Sequence, residues 1–197
     1  MIYVKFVKRG LDLLLTLLTV PFFLILLILV GIAIKKEDAG PIFYKSRRIG
    51  KNFKVFTMYK FRSMRVNAPN RYNPDGSTYN SKKDERLTKV GKILRETSID
   101  ETPQIINVIK GDMSIIGPRP GDYESIGTYE EDEVGKMKVL PGITGYSQAF
   151  YRNTISVREK RLKDVWYSEH VSFGLDVTIF IKTVFTVLKR EKIYSDE

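Results

Sequence analysis

The sequence predicts a mainly α protein with a few short β-strands, anchored by a membrane-inserted N-terminal segment. Three observations carry that reading. A dense apolar block runs from Leu11 to Ile34, and helical periodicity governs residues 156–189. Only residues 41–65 mix β-branched, aromatic and basic residues in the manner of strands. The 197 residues leave about 160 beyond the block, enough for one domain with its own core. The chain therefore divides into a membrane segment, 1–34, and a compact α/β domain, 35–197.

The block LDLLLTLLTVPFFLILLILVGIAI is about 24 residues, roughly 36 Å as a helix, against a hydrocarbon core of about 30 Å. A secretory signal has a shorter apolar region and a small-residue cleavage site, which this block lacks. Pro21 removes one backbone donor and crowds the carbonyl of Leu17, so a break or kink is expected there, with Thr16 and Thr19 near enough to re-satisfy freed groups. Two topologies follow: a kinked helix that crosses once, or a hairpin that enters and leaves by one face. Lys5, Lys8 and Arg9 precede the block and a larger basic cluster follows it. A crossing puts one cluster outside, against the positive-inside tendency, and a hairpin keeps both in the cytoplasm. Crossing helices are far commoner, so the two readings balance.

The net charge of +10 and pI near 9.6 require an anionic partner. Lys35, Lys36, Lys45, Arg47, Arg48, Lys51, Lys54, Lys60, Arg62 and Arg65 follow the block directly and read as a patch facing anionic headgroups. Nucleic acid is not the expected partner, because a nucleic-acid-binding domain has no need of the apolar block. Cysteine is absent, which excludes disulfides and thiolate metal sites.

Beyond the block, residues 41–65 form a hairpin around Gly50-Lys51-Asn52. Residues 66–83, with Asn73-Pro74-Asp75-Gly76, form a loop long enough to be a mobile lid. Helices are expected at Leu87–Arg95 and at Ile99–Lys110, the second ended by Gly111. Residues 121–138 are acidic and partly helical, and a turn-rich LPGITGYSQAFYRN follows. The late apolar stretch VSFGLDVTIFIKTVFTVLKR contains Asp176 and Lys182 and suits an interfacial or core helix.

The most informative stretch is LRETSIDETPQIINVIKGDMSIIGPRP, 94–120. Ser98 and Glu101 have capping-box spacing, and two acids in a first helical turn complement the helix dipole without any catalytic role. The functional alternative rests on neighbours. Arg95 lies just before the acids, and Arg119 sits in a turn stiffened by Pro118 and Pro120, suited to bidentate phosphate recognition. Carboxylates beside arginines and a diphosphate also suit Mg²⁺. No Walker, Rossmann or zinc pattern competes, and His170 has no evident catalytic partner.

At these residues the chain resembles the monotopic phosphoglycosyl transferases, bacterial sugar transferases that initiate glycoconjugate assembly. The resemblance rests on the proline-centred apolar block, YKFRSM at 59–64, residues 84–120, PGITGYSQ at 141–148 and SFGLDV at 172–177, in that order. It looks like the small form of the family.

The resemblance implies a re-entrant helix-break-helix at 1–34 and a catalytic domain at the cytoplasmic face of the bacterial plasma membrane, flanked by interfacial amphipathic helices. It implies transfer of a sugar phosphate from a UDP-sugar to polyprenyl phosphate through a covalent Asp100 intermediate. Asp100 and Glu101 match the catalytic dyad, with Mg²⁺ as cofactor and both carboxylates as its ligands, Glu101 either positioning the ion or assisting proton removal. Lys60, Arg95, Arg119 and Arg152 match phosphate-holding positions, and Gln148 matches a nucleotide- or sugar-contacting one. A homodimer is compatible with this. The run Tyr146 to Asn153 departs from the family's Trp-Ala-Gln-Val-Asn-Gly-Arg-Asn, so the sugar is left open. A membrane-anchored lipid-binding scaffold without catalysis is the alternative.

Overall fold

In the computed structural model, residues 3–73 and 79–189 are described. Most of them are helical, with a few short strands, as the sequence predicts. A π-helical turn, Tyr3–Val7, leads into helix α1, Lys8–Asp38, which is 31 residues long. Pro21 lies inside α1 and does not end it, so any change of direction there is a bend within one continuous helix and not an interruption. One missing donor frees one carbonyl, a cost that a long helix absorbs. The threonines do not repair it: the Thr19 hydroxyl donates to Thr16 O, 2.9 Å away, and the Thr16 hydroxyl has no partner.

The buried residues of α1 recur at helical spacing, Asp12, Thr16, Phe23, Val30 and Ile34. Phe23, Val30 and Ile34 share a core with Phe61, Leu94 and Ile105. The other face leaves Leu17, Phe22, Ile25, Ile28 and Leu29 exposed, an apolar surface no soluble protein retains without a cover. Both ends of α1 are fastened to the same domain. At the start, Lys8 Nζ lies 2.6 Å from Asp176 Oδ2, and Asp12 accepts the Ile115 N–H at 3.0 Å. At the end, Asp38 pairs with Arg62, and Glu37 accepts the N–H groups of Lys89 and Val90. Those donors belong to the first turn of helix α2, Lys89–Glu96, whose Thr88 also caps Gly91 N.

Strands β1, Phe43–Ile49, and β2, Val55–Phe61, form the expected antiparallel hairpin, with Ile49 opposite Val55. Its turn holds Asn52 and Phe53 at left-handed φ of 53° and 60°. After α2 come a 3-10 helix, Ile99–Gln104, and α3, Ile105–Lys110, ended by Gly111 at φ 82°. Strand β3, Ser114–Ile116, follows, and β4, Gly121–Asp122, adds to the free edge of β1. Two 3-10 helices span most of 123–138. Strand β5, Gly142–Thr144, pairs in parallel with β3, and α4, Tyr146–Phe150, α5, Val157–Glu169, and α6, Phe173–Leu188, complete the chain.

Two of the cations read as headgroup contacts are structural instead. Arg62 is buried, bonded to Asp38 and to the carbonyls of Pro41 and Met64. Arg48 is drawn inward by Asp122 at 3.0 Å. Arg48 lies on β1 and Arg62 directly follows β2, and the acceptors each one meets, not its sequence proximity to the membrane block, decide its direction. The lid expected at 66–83 falls partly on 74–78, outside the described residues. Its nearer parts are tied down by Arg86, which donates to Pro69 O and Tyr79 O and pairs with buried Asp84.

Candidate active site

Asp100 and Glu101 sit in the 3-10 helix, one turn past the C-terminus of α2. The capping box expected at Ser98 does not form. Thr97 and Ser98 must turn the chain between two helices, so Ser98 takes a left-handed φ of 57° and its side chain caps nothing. Its carbonyl accepts Glu101 N instead. Pro103 cannot serve the carbonyl of Ile99, and the Thr102 hydroxyl takes its place at 2.9 Å. The tight turn thus holds both carboxylates toward the cleft, with Ile99 and Ile105 packed behind them.

The two acids differ sharply. Asp100 is buried, and no side chain among the described residues donates a hydrogen bond to it. Burial pushes its pKa up to about 6, with Lys60 and Arg95 opposing and the Glu101 charge adding to the rise. Glu101 is half-buried and receives the Lys60 ammonium, 2.5 Å from Nζ to Oε1. Burial raises its pKa too, but the charges of Lys60, Arg119 and Arg152 outweigh it and the net shift is downward. Glu101 is the fixed anion and Asp100 the more basic oxygen.

All seven site residues named from the sequence, Lys60, Arg95, Asp100, Glu101, Arg119, Gln148 and Arg152, line one cleft. Lys60, Glu101, Arg119 and Gln148 also share a narrow recess within it. Arg95 is aimed by Ser63 Oγ at 3.0 Å and Asn80 Oδ1 at 3.2 Å. Arg152 occupies a left-handed φ of 42°, a conformation unfavourable for arginine and held by its turn. Gln148 donates to Ile143 O at 3.4 Å and leaves its buried Oε1 without a partner, an acceptor free for a ligand donor.

The turn bearing Arg119 is clamped to the turn bearing Gln148. Gly117 N donates to Thr144 O, and Gly142 N to Pro118 O, both at 2.9 Å. A Cβ on Gly142 would lie 2.1 Å from Gly117 N, so only glycine permits this approach. Asp164 locks the arrangement. This buried carboxylate accepts Ser147 Oγ at 2.6 Å, Arg119 N at 3.1 Å and Lys136 Nζ at 3.4 Å.

Sequence reasoning gave no role to Asp164 and Lys136, which lie in none of the quoted motifs, or to Ser147, which lies within PGITGYSQ. It also misplaced Arg48, which lines the recess beside Arg119 and whose guanidinium pKa burial lowers. His170 is exposed, stacked on Trp166 and bonded to its carbonyl, outside the cleft.

One family description, bacterial sugar transferase, matches residues 3–190. The chain belongs to the bacterial sugar transferase family. Among curated relatives of this transferase is the UDP-N-acetylgalactosamine-undecaprenyl-phosphate N-acetylgalactosaminephosphotransferase of Aeromonas hydrophila, 37% identical over 189 residues, 93% of this chain and 44% of that protein. The uncharacterized sugar transferase EpsL of Bacillus subtilis is 42% identical over 170 residues, 85% of this chain and 80% of that protein. The exopolysaccharide production protein ExoY of Rhizobium meliloti is 35% identical over 188 residues, 90% and 83% of the two chains. The chain thus spans less than half of the Aeromonas relative and most of the other two.

Proposed function

We propose that this bacterial sugar transferase moves a sugar 1-phosphate from a UDP-sugar to polyprenyl phosphate, giving polyprenyl diphosphate sugar and UMP. The observation that carries the reading is a buried, basic Asp100 beside a fixed Glu101, in a cleft ringed by Lys60, Arg95, Arg119 and Arg152. An undecaprenyl-phosphate phosphotransferase name on the Aeromonas relative supports it. The cleft, about 1760 Å³, exceeds the roughly 300–1,000 Å³ of a single small-molecule site and so has room for two substrates.

In the first step an Asp100 oxygen attacks the sugar-bearing phosphorus, and the bond from that phosphorus to the oxygen of UMP breaks. The product is an aspartyl phosphate carrying the sugar. In the second step an oxygen of polyprenyl phosphate attacks the same phosphorus and the acyl phosphate bond breaks, restoring Asp100. A carboxylate approaches a diphosphate only if cations offset the repulsion, and the ring of Lys60 and the arginines offers them in place.

Asp100 and Glu101 fit Mg²⁺ in part: among the described residues no third carboxylate joins them, and Mg²⁺ commonly takes one or two carboxylates with phosphate oxygens. Bound there, the ion would neutralise charge on the substrate diphosphate and on the UMP that leaves it. The lowered pKa of Glu101 keeps it ionised as a ligand rather than as a proton donor.

Both ends of α1 fasten to one domain, which supports a re-entrant segment inserted from the cytoplasmic face of the plasma membrane rather than a crossing one. The late α6, half exposed and apolar, suits an interfacial position against anionic lipid.

The test is UMP release from a panel of UDP-sugars with Mg²⁺ and undecaprenyl phosphate, comparing the natural chain with Asp100→Asn. Activity with at least one sugar, lost in the variant, is the expected result. Substantial turnover by Asp100→Asn removes Asp100 as nucleophile and leaves direct transfer between the two substrates.

A further inference from the structure

The cleft offers many donors, which a diphosphate can satisfy because its oxygens only accept. Acceptors that face the same space need a different group. Among the described residues, the carboxylates lining the cleft are Asp100, Glu101, Asp122, Glu124 and Asp164. The first two form the reacting centre, and Asp164 is filled by Ser147, Lys136 and the Arg119 amide. Asp122 and Glu124 are left over. Asp122 stands opposite Arg48 in the β1–β4 pair, so both side chains fall on one face of the sheet, and Arg48 Nη1 donates to Asp122 Oδ2 at 3.0 Å. Asp122 Oδ1 receives, among the described residues, a single long bond of 3.4 Å from Glu124 N. Glu124 takes the Tyr72 hydroxyl on Oε2 at 3.1 Å, and no described residue donates to its Oε1. The buried Oε1 of Gln148 is a third unfilled acceptor. Arg48 joins these groups, since it lines the cleft with Asp122 and Glu124 and the narrow recess with Gln148, Lys60 and Glu101.

We infer that Asp122, Glu124 and Gln148 accept hydroxyl groups of the donor sugar, with Arg48 holding Asp122 in place, and that this sugar is uncharged and hydroxyl-bearing on the edge remote from its phosphate. The inference rests on the donor named in the functional reading above and adds the class of sugar it carries. Position favours the sugar over the nucleoside. Arg48 and Gln148 share their recess with Glu101, next to the attacking carboxylate. The sugar is bonded to the phosphorus that Asp100 attacks, and the nucleoside lies one phosphate further away. Unfilled acceptors call for a ligand that donates, and hydroxyls do so without adding charge. Charge excludes a uronic acid: Arg48 offsets one of the two carboxylates, and the other would face a third across the cleft. The sheet register fixes Arg48 and Asp122 on strands, so the wall is set before any sugar arrives.

The full-length protein in nanodiscs is given UDP-glucose, UDP-galactose and their 2-acetamido forms, then the 4-deoxy and 6-deoxy analogues of whichever turns over, and UDP-glucuronate. Loss of at least one of the two hydroxyls is expected to lower kcat/KM about tenfold or more, and the uronate to release no UMP. In Asp122→Ala or Glu124→Ala the parent sugar loses that advantage, so the same deoxygenation costs less than about twofold, and inhibition by UMP stays within about twofold of the natural chain. Glu124 is exposed, so its alanine variant folds whatever becomes of the Asp122 one. A fall shared equally by parent and deoxy sugars, with the discrimination kept, is a structural effect and overturns the assignment. Weaker inhibition by UMP in step with the loss of turnover gives the acceptors to the nucleoside and overturns it too, as does ready turnover of the uronate. Titration of UDP-sugar against UDP on the Asp100→Asn background needs no turnover. A sugar-dependent gain in affinity that Glu124→Ala removes, with no UMP release from any sugar by the natural chain, would sink the transferase reading and leave the subsite standing. Turnover whose discrimination neither variant alters does the reverse.

Discussion

Lys60 reaches from β2 to Glu101, 2.5 Å from ammonium to carboxylate, and the neighbouring Asp100 has no side-chain hydrogen bond among the described residues. One lysine therefore separates two adjacent acids into a fixed anion and a basic one. Lys60→Met is expected to undo that separation. It removes the charge that holds Glu101 down and the largest one restraining Asp100, so both pKa values rise. A loss of about 10²-fold in kcat/KM is expected for one electrostatic contact at the reacting centre. The acid limb of the pH–rate profile should move to higher pH, a shift that simple misfolding does not produce.

The natural chain should show its own acid limb near the Asp100 value of about 6. The nucleophile must be ionised, so kcat/KM falls tenfold per pH unit below that point and is flat above it. A limb near 4 would mean that Asp100 titrates as an ordinary carboxylate and that burial does not raise its pKa in the working enzyme.

Asp100 also carries a stability cost. Its folded pKa lies above its ordinary 3.8, so ionisation above pH 6 disfavours the fold, by at most about 3 kcal/mol. The cost is full above pH 7 and fades as pH falls through 6 toward 4. Asp100→Asn should therefore raise the melting temperature at pH 8 while abolishing activity, and the gain should shrink at pH 5. A variant that is both inactive and less stable at pH 8 contradicts this.

The elements legible in the sequence are those set by local rules. The hairpin announced itself through β-branched and aromatic residues around Gly50, and α3 ended where Gly111 could adopt its left-handed cap. The same local logic failed at Ser98. The pattern Ser-x-x-Glu there forms no box, whereas Ser156 and Glu159 form one at the start of α5. The difference is tertiary: Ser98 must reverse the chain straight after α2, and Ser156 has a free approach. The seven site residues came from a motif order, and the cleft unites them. Asp164 could not be read that way. Its role exists only because Ser147, Lys136 and the Arg119 amide converge on it from three separate segments.

That convergence sets a further expectation. Asp164→Ala leaves buried Lys136 without its carboxylate and the Arg119 amide without an acceptor, which should cost about 3–5 kcal/mol. Asp164→Asn keeps an acceptor oxygen and should fold. Its kcat should still fall about 10- to 100-fold, because the turn that aims Arg119 loses a charge-assisted anchor. A fall in kcat at unchanged melting temperature would separate positioning from stability. An Asn variant with natural kcat would show that the Arg119 turn needs no help from Asp164.

The topology of α1 is open to a clean test because the chain has no cysteine. Gly10, near the start of the helix, has nothing within 4 Å of a Cβ, and Lys36, near its end, is exposed, so Gly10→Cys and Lys36→Cys are both tolerable. Some 26 helical residues separate them, about 39 Å at 1.5 Å each, longer than the hydrocarbon core. A straight crossing would put the two thiols on opposite faces. Contacts argue otherwise: the Lys8–Asp176 pair and the Asp38–Arg62 pair tie both ends to one domain, and that domain cannot occupy both sides of a bilayer. An impermeant maleimide added to inverted vesicles should therefore label both cysteines, and added to right-side-out vesicles should label neither. Opposite labelling of the two sites would require a crossing helix, and with it the loss of one of those two ion pairs in the membrane.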